Sequence, residues 1–112
     1  MVAPQSFEEF WPFYVREHRK PATRALHFIG THLAFFALGM SLMTLSKAWL
    51  VVAPLLGYVP AWIGHFYFEK NRPATLVHPL WSLRGDLRML RMTWLGQMGR
   101  EVERFSPRGT AS

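Results

Sequence analysis

Residues 25–46 read ALHFIGTHLAFFALGMSLMTLS, and residues 48–68 read AWLVVAPLLGYVPAWIGHFYF. Neither stretch holds Asp, Glu, Lys or Arg, and Lys47 alone separates them. At ~1.5 Å of rise per residue each makes a helix about 30 Å long, the thickness of a bilayer's hydrocarbon core. The pair predicts a transmembrane hairpin. Two fully buried helices of a soluble protein are the alternative, but the rest of a 112-residue chain is too little to wrap both. The expected fold class is therefore all-α: a membrane-embedded two-helix hairpin with an N-terminal interfacial helix and a C-terminal basic amphipathic helix. The chain reads as one membrane domain. It divides into an interfacial segment (1–21), a first span (22–46), a second span (48–69), an amphipathic helix (79–105) and a disordered tail (106–112).

Charge supports the hairpin and orients it. Of 13 Lys and Arg, all but Lys47 lie outside its tip. Arg16, Arg19, Lys20 and Arg24 precede the first span; Lys70, Arg72, Arg84, Arg88 and Arg91 follow the second. The positive-inside bias places both termini in the cytoplasm. The net charge of +6 then suits anionic lipid head groups rather than nucleic acid, for which a soluble basic domain is wanting. Met1–Glu9 is acidic rather than basic, which argues against a cleaved signal peptide. Arg exceeds Lys ten to three, which hints at a GC-rich bacterial genome, and the expected location is then a bacterial inner membrane. With no cysteine, disulfide scaffolds, thiolate metal sites and cysteine nucleophiles are excluded. Ser41 and Ser46 lie near the tip, far from any histidine, which excludes a hydrolase triad.

Outside the spans, Ser6 and Glu9 form a capping box for a short first helix, and Pro12 should kink or restart it. Phe7, Phe10, Trp11, Phe13 and Tyr14 read as an interfacial aromatic belt. From Leu80 to Phe105 a stripe of Leu83, Leu87, Leu90, Trp94, Met98 and Val102 recurs at helical spacing. Arg84, Arg88, Arg91 and Arg100 lie off that stripe. Such a helix lies on the membrane or caps the hairpin's mouth, and Gly85, Gly96 and Gly99 weaken it. Within the hairpin, Gly30, Ala34, Ala37 and Ser41 face Ala53, Gly57 and Ala61, which allows close approach. Pro54 and Pro60 should kink the second span.

Of five histidines, two share a depth and a face. Folding the hairpin about Ser46 and Lys47 sets His65 level with His27, each on its span's small-residue face. Glu69 lies one turn beyond His65, opposite Arg24, and His18 sits just outside the first span. An ionisable group within a span points to function. His18, His27, His65 and Glu69 make a donor set for a borderline divalent metal. The alternative is structural: His27 and His65 hydrogen-bond each other or backbone carbonyls at the interface. His32 lies about 140° around the helix from His27 and reads as structural. His78 reads as an exposed loop residue rather than a further ligand.

Phe13-Tyr14-x3-His18-x2-Pro21-x5-His27-x2-Gly30 and Trp62-x-Gly64-His65-x2-Phe68-Glu69-x3-Pro73-Ala74 resemble the small integral-membrane 2-hydroxy fatty acid dioxygenases. The resemblance covers roughly Tyr14 to Ala74, and the block from Gly64 to Ala74 is its specific part. The family's histidines fall on His18, His27 and His65. The resemblance implies an iron(II)-dependent enzyme of α-oxidation, with Fe(2+) as cofactor. It removes one carbon from a long-chain 2-hydroxy fatty acid using dioxygen. Fungal members tend to carry Asn at the position of Thr23 and Gln at that of Ala61. A 2-hydroxy acid offers carboxylate and hydroxyl oxygens to a metal. Arg24 or Arg72 suits the carboxylate, and the acyl tail would lie among Phe28, Phe35, Phe66 and membrane lipid. The sequence leaves a homo-oligomer open. Two other functions compete: a non-enzymatic membrane scaffold, and a bis-histidine haem protein, which the small-residue faces disfavour.

Overall fold

A computed structural model describes residues 4–73 and 76–105. Its elements are α1 (Phe7–Arg16), α2 (Pro21–Thr44), α3 (Ala48–Ile63), α4 (Pro79–Trp94) and α5 (Met98–Phe105). A π-helical turn, Gly64–Glu69, continues α3. The described residues contain no strand, as an all-α chain requires. The tail 106–112 lies outside the described residues.

α2 and α3 form the antiparallel hairpin, joined at Leu45, whose left-handed backbone (φ 55°) reverses the chain. Helices of 24 and 22 residues, Pro21–Thr44 and Ala48–Glu69, are long and apolar enough to cross a membrane. Leu42, Met43 and Val51 on their outer faces are largely exposed. The small-residue seam sets how closely the helices approach. A Cβ on Gly30 would sit 2.8 Å from the Gly57 carbonyl oxygen and 3.0 Å from that of Leu56. At Gly57 the same atom would meet Ala34 Cβ at an ordinary 3.4 Å. α3 runs on through Pro54 and Pro60, and the helix departs from α geometry only at the π turn.

The remaining helices build a compact cap over the open end of the hairpin. Ser6 Oγ accepts from the Glu9 N–H (3.2 Å), capping α1, and Glu8 and Glu9 complement the helix dipole. The Glu9 carboxylate reaches back to the Gln5 N–H instead of that of Ser6 (3.3 Å). Pro12 does not restart the helix. α1 passes through it because Phe7, Phe10, Trp11 and Tyr14 are buried together on one face. These aromatics are thus the cap's core rather than an interfacial belt, packed with Val15, Met89, Met98 and Val102. Burying each large side chain contributes on the order of 1.5–3 kcal/mol, enough to outweigh one missing hydrogen bond. Trp11 Nε1–H donates to Glu101 (2.7 Å), tying α1 to α5. Arg84 and Arg88 stack over Phe7, at 4.2 and 4.7 Å from its ring, so these cations serve the cap as well as its surface.

Two expectations for the C-terminal segment change. The single helix over 79–105 is two helices, because Gly96 takes a left-handed turn (φ 72°) between them. The buried face of α4 is not the leucine stripe. Ser82, Gly85 and Met89 face inward, while Leu80, Leu83, Leu87 and Trp94 are exposed. A bulky stripe does not fit here: a Cβ on Gly85 would lie 2.9 Å from the Tyr14 ring.

Candidate metal centre

Three helical segments each deliver one histidine to the interior where hairpin and cap meet. His18 follows the end of α1, His27 lies nearly two turns into α2, and His65 is the second residue of the π turn after α3. All three are buried, at 1, 6 and 2% exposure. Their rings meet edge to face, with centroids 4.4 Å (His18–His27), 4.5 Å (His18–His65) and 5.1 Å (His27–His65) apart. One ring nitrogen of each lies within 4.8 Å of the other two.

The hydrogen bonds behind the rings fix which nitrogen faces inward. His18 Nδ1–H donates to the Tyr14 carbonyl (2.6 Å) and His27 Nδ1–H to the Thr23 carbonyl (3.1 Å), each one turn back. His65 Nδ1–H donates to Asn71 Oδ1 (2.7 Å). The Asn71 orientation is set because its Nδ2–H donates to the Glu17 carbonyl (3.2 Å). Every Nδ1 is therefore protonated and every Nε2 carries a lone pair. His18 Nε2 and His27 Nε2 face each other at 3.1 Å. Two lone pairs at that distance repel unless a proton or a metal ion is shared between them. Two imidazoles ~2.1 Å from one ion and at right angles are about 3.0 Å apart. Burial, reinforced by the neighbouring imidazoles, holds His18 well below its ordinary value, which keeps it in the neutral, metal-binding form.

The chamber has a second polar wall, on α4. The Ser82 hydroxyl is buried and is the one buried side-chain polar atom without a partner among the described residues. It lines the chamber with the three histidines, Tyr14 and Asp86. The Tyr14 hydroxyl donates to the Asp86 carboxylate in a short hydrogen bond. Burial pushes Asp86 up to about 7, against the opposing effect of that bond. Burial and the Asp86 charge likewise raise Tyr14 well above the ordinary phenol value, so it stays a donor. A buried hydroxyl without a partner, lining the same chamber as three inward-facing imidazoles, fits a site built around a small polar guest. Neutral imidazoles with a nearby carboxylate suit iron or zinc.

Other predicted site residues are placed differently. Glu69 turns away from the three histidines. Its carboxylate accepts from the Lys20 N–H (2.6 Å), capping the start of α2, because Lys70 adopts a left-handed backbone (φ 63°) just after it. Arg24 donates from Nη1 to the His18 and Arg19 carbonyls (2.9 and 2.6 Å), bracing the turn that carries His18. Arg72 is exposed. Phe28 packs on His32 and Trp94, and Phe66 faces outward. His32 is structural: Nδ1–H donates to the Phe28 carbonyl (2.7 Å), and Nε2 accepts from Trp94 Nε1–H (3.2 Å). His78 is not an exposed loop residue; it stacks on Trp81 and meets Phe10 edge-on, and it is part-buried.

Sequence reading missed Asn71, Ser82 and Asp86. Ser82 and Asp86 share one face of α4 by their four-residue spacing. The signal available was an acidic residue standing alone in a run of arginines. No curated protein and no solved structure matches the chain at a significant level. One family model matches residues 4–98, from α1 through the start of α5, and therefore covers cap, hairpin and all three histidines. The chain is a member of the family described as 2-hydroxy-palmitic acid dioxygenase Mpo1-like.

Proposed function

We propose that this protein is a multi-pass membrane dioxygenase that shortens long-chain 2-hydroxy fatty acids by one carbon. Fe(2+) would be held by His18, His27 and His65. The observation that carries the reading is the set of three buried imidazoles, each with Nδ1 committed to an acceptor and Nε2 facing a common centre. Bound ferrous iron supplies the redox chemistry that dioxygen requires. The chain's own residues do the rest. The Tyr14, Thr23 and Asn71 acceptors hold the rings in one tautomer. Ser82 offers a hydroxyl, and Arg24 its uncommitted N–H groups, to the polar head of the substrate. Asp86 offsets the charge a divalent ion brings into a buried chamber. Glu69 supports the site from outside, through α2.

The exposed apolar faces of α2 and α3 support a bilayer location, both termini sharing the basic, cytoplasmic side. On that placement Leu80 and Trp94 face lipid while the other side of α4 closes the chamber. Partners are the fatty acid, dioxygen and membrane lipid. The haem reading is disfavoured by the edge-to-face rings, 4.4–5.1 Å apart, which leave no room for a macrocycle between them.

The test is metal analysis and product analysis on detergent-purified protein given iron(II), ascorbate and 2-hydroxyhexadecanoic acid. The expected result is one iron per chain and an acid one carbon shorter, with hexadecanoic acid inert. Both should be lost in His65→Ala. A Soret band would favour haem. Full iron content without any shortened acid would favour the scaffold.

A further inference from the structure

A second cavity, of about 270 Å³, shares His27, Tyr58, Ala61 and Asp86 with the histidine chamber and runs down one side of the hairpin. We propose that it is the acyl-chain site: the substrate's carboxyl end lies at the histidines and its tail runs toward the Lys47 turn. The proposal rests on the dioxygenase reading and adds where the chain binds, which way it points and why short chains bind less well.

The cavity is a seam with a polar top and an apolar floor. Its upper walls carry His27, Thr31, Tyr58 and Asp86; its lower walls carry only apolar side chains. His27, Thr31, Ala34 and Leu38 follow one another at four, three and four residues, so they form one face of α2. Leu50, Ala53 and Gly57 answer them from α3. Small side chains at Ala34, Ala53 and Gly57 make the recess, and Leu83 and Leu87 of α4 roof its upper part. Those leucines are the stripe that does not enter the cap's core, so the seam accounts for part of their exposure.

The occupant follows from this gradient. A guest continuous with a metal chamber at one end, and with hydrocarbon walls at the other, is a polar head on a long apolar tail. From His27 to Leu38 the seam spans eleven residues, roughly 16 Å at ~1.5 Å each. That accommodates about a dozen methylenes at roughly 1.3 Å per carbon, from ordinary C–C geometry. The lower end lies between Leu38 and Leu50, which are 42 and 50% exposed, so the tail leaves sideways rather than meeting a plug. Long chains therefore fill the seam and short ones leave it partly empty. Each methylene left out costs roughly fourfold in affinity.

Photo-crosslinking of the unaltered chain in micelles, metal-free and iron-loaded, reads the contact directly. The probes are 2-hydroxyhexadecanoic acid with a diazirine at the tail or near the carboxyl. The tail probe should label the segments holding Leu38 and Leu50; the other should label those holding Tyr58 and Ala61. Unlabelled 2-hydroxyhexadecanoic acid should compete, and 2-hydroxyoctanoic acid should compete at least about tenfold less well. Ala53→Phe, which fills the lower seam, should erase that preference. Labelling spread over Leu42, Met43 and Val59 without competition means bulk lipid contact and overturns the proposal. Tail labels on a second copy of the chain overturn it as well. Turnover without the ordered pattern sinks the seam alone. The ordered pattern without turnover keeps the seam and sinks the dioxygenase reading.

Discussion

Three glycine-to-alanine changes in the hairpin separate backbone propensity from packing. Each replacement gains about 1 kcal/mol of helix propensity. Gly39→Ala meets nothing within 4 Å, so it should show that gain alone. Gly57→Ala adds a contact with Ala34 Cβ at 3.4 Å, ordinary van der Waals distance, and should equal or slightly exceed it. Gly30→Ala puts its methyl 2.8 and 3.0 Å from two carbonyl oxygens. Those are backbone atoms, so no side chain can swing away and the helices must separate by about half an ångström. Overpacking of that kind costs about 1–3 kcal/mol. Because the propensity gain cancels between variants, Gly30→Ala should be less stable than Gly57→Ala by about that amount. Gly30 is one turn below His27, so the separation also widens the 5.1 Å gap between the His27 and His65 rings. The assay is thermal unfolding in micelles followed by circular dichroism, with iron titration in parallel. Equal stability of the Gly30 and Gly57 variants, or unchanged iron affinity in Gly30→Ala, would refute the close-packed seam as what spaces the histidines.

Three further expectations concern the site. Asn71→Leu removes the acceptor of His65 Nδ1–H and should weaken iron binding by about 10–100-fold, whereas Asn71→Asp should keep it; calorimetric titration decides. Ser82→Ala leaves the three histidines intact, so iron occupancy should hold while KM for the 2-hydroxy acid rises about tenfold or kcat falls, as loss of one hydrogen bond to the head group predicts; normal kinetics would remove Ser82 from the site. In metal-free protein, His18 is held well below its ordinary value, so its contribution to stability is full above about pH 6.5 and fades as pH falls below that. Asp86, raised to about 7, acts oppositely: its folded-state proton favours folding as pH falls from about 7 toward 4. The two offset each other between about pH 6.5 and 4, and Asp86→Asn removes one of them. That variant should lose stability on acidification more steeply than the natural chain, and a parallel pH profile would show that Asp86 is not so placed.

The hairpin was legible because two uncharged, apolar runs of helical length flank Lys47, which sets two apolar helices back to back around one short turn. The depth match of His27 and His65 followed from the same fact, since an antiparallel pair fixes which residues stand level. The family resemblance through the Gly64–Ala74 block agrees with the matched family, which spans residues 4–98. The aromatic residues of α1 were misplaced because a face that suits lipid equally suits another helix, and only the partner decides. The hydrogen-bond partner of Glu69 was not legible for a related reason. Its spacing from His65 is that of an α-helix, and the π turn with Lys70's left-handed backbone sends its carboxylate to Lys20 instead. Asn71, Ser82 and Asp86 lie 53 or more residues from His18 and meet the histidines through folded-chain contacts that no local period encodes. Sequence alone determined the hairpin, its basic flanks and the level histidine pair, because hydrocarbon burial and helix geometry act locally along the chain. Tertiary structure decided how the three rings converge, which carboxylate stands beside them and where the apolar cavity lies, because those depend on contacts between α1, α4 and the hairpin.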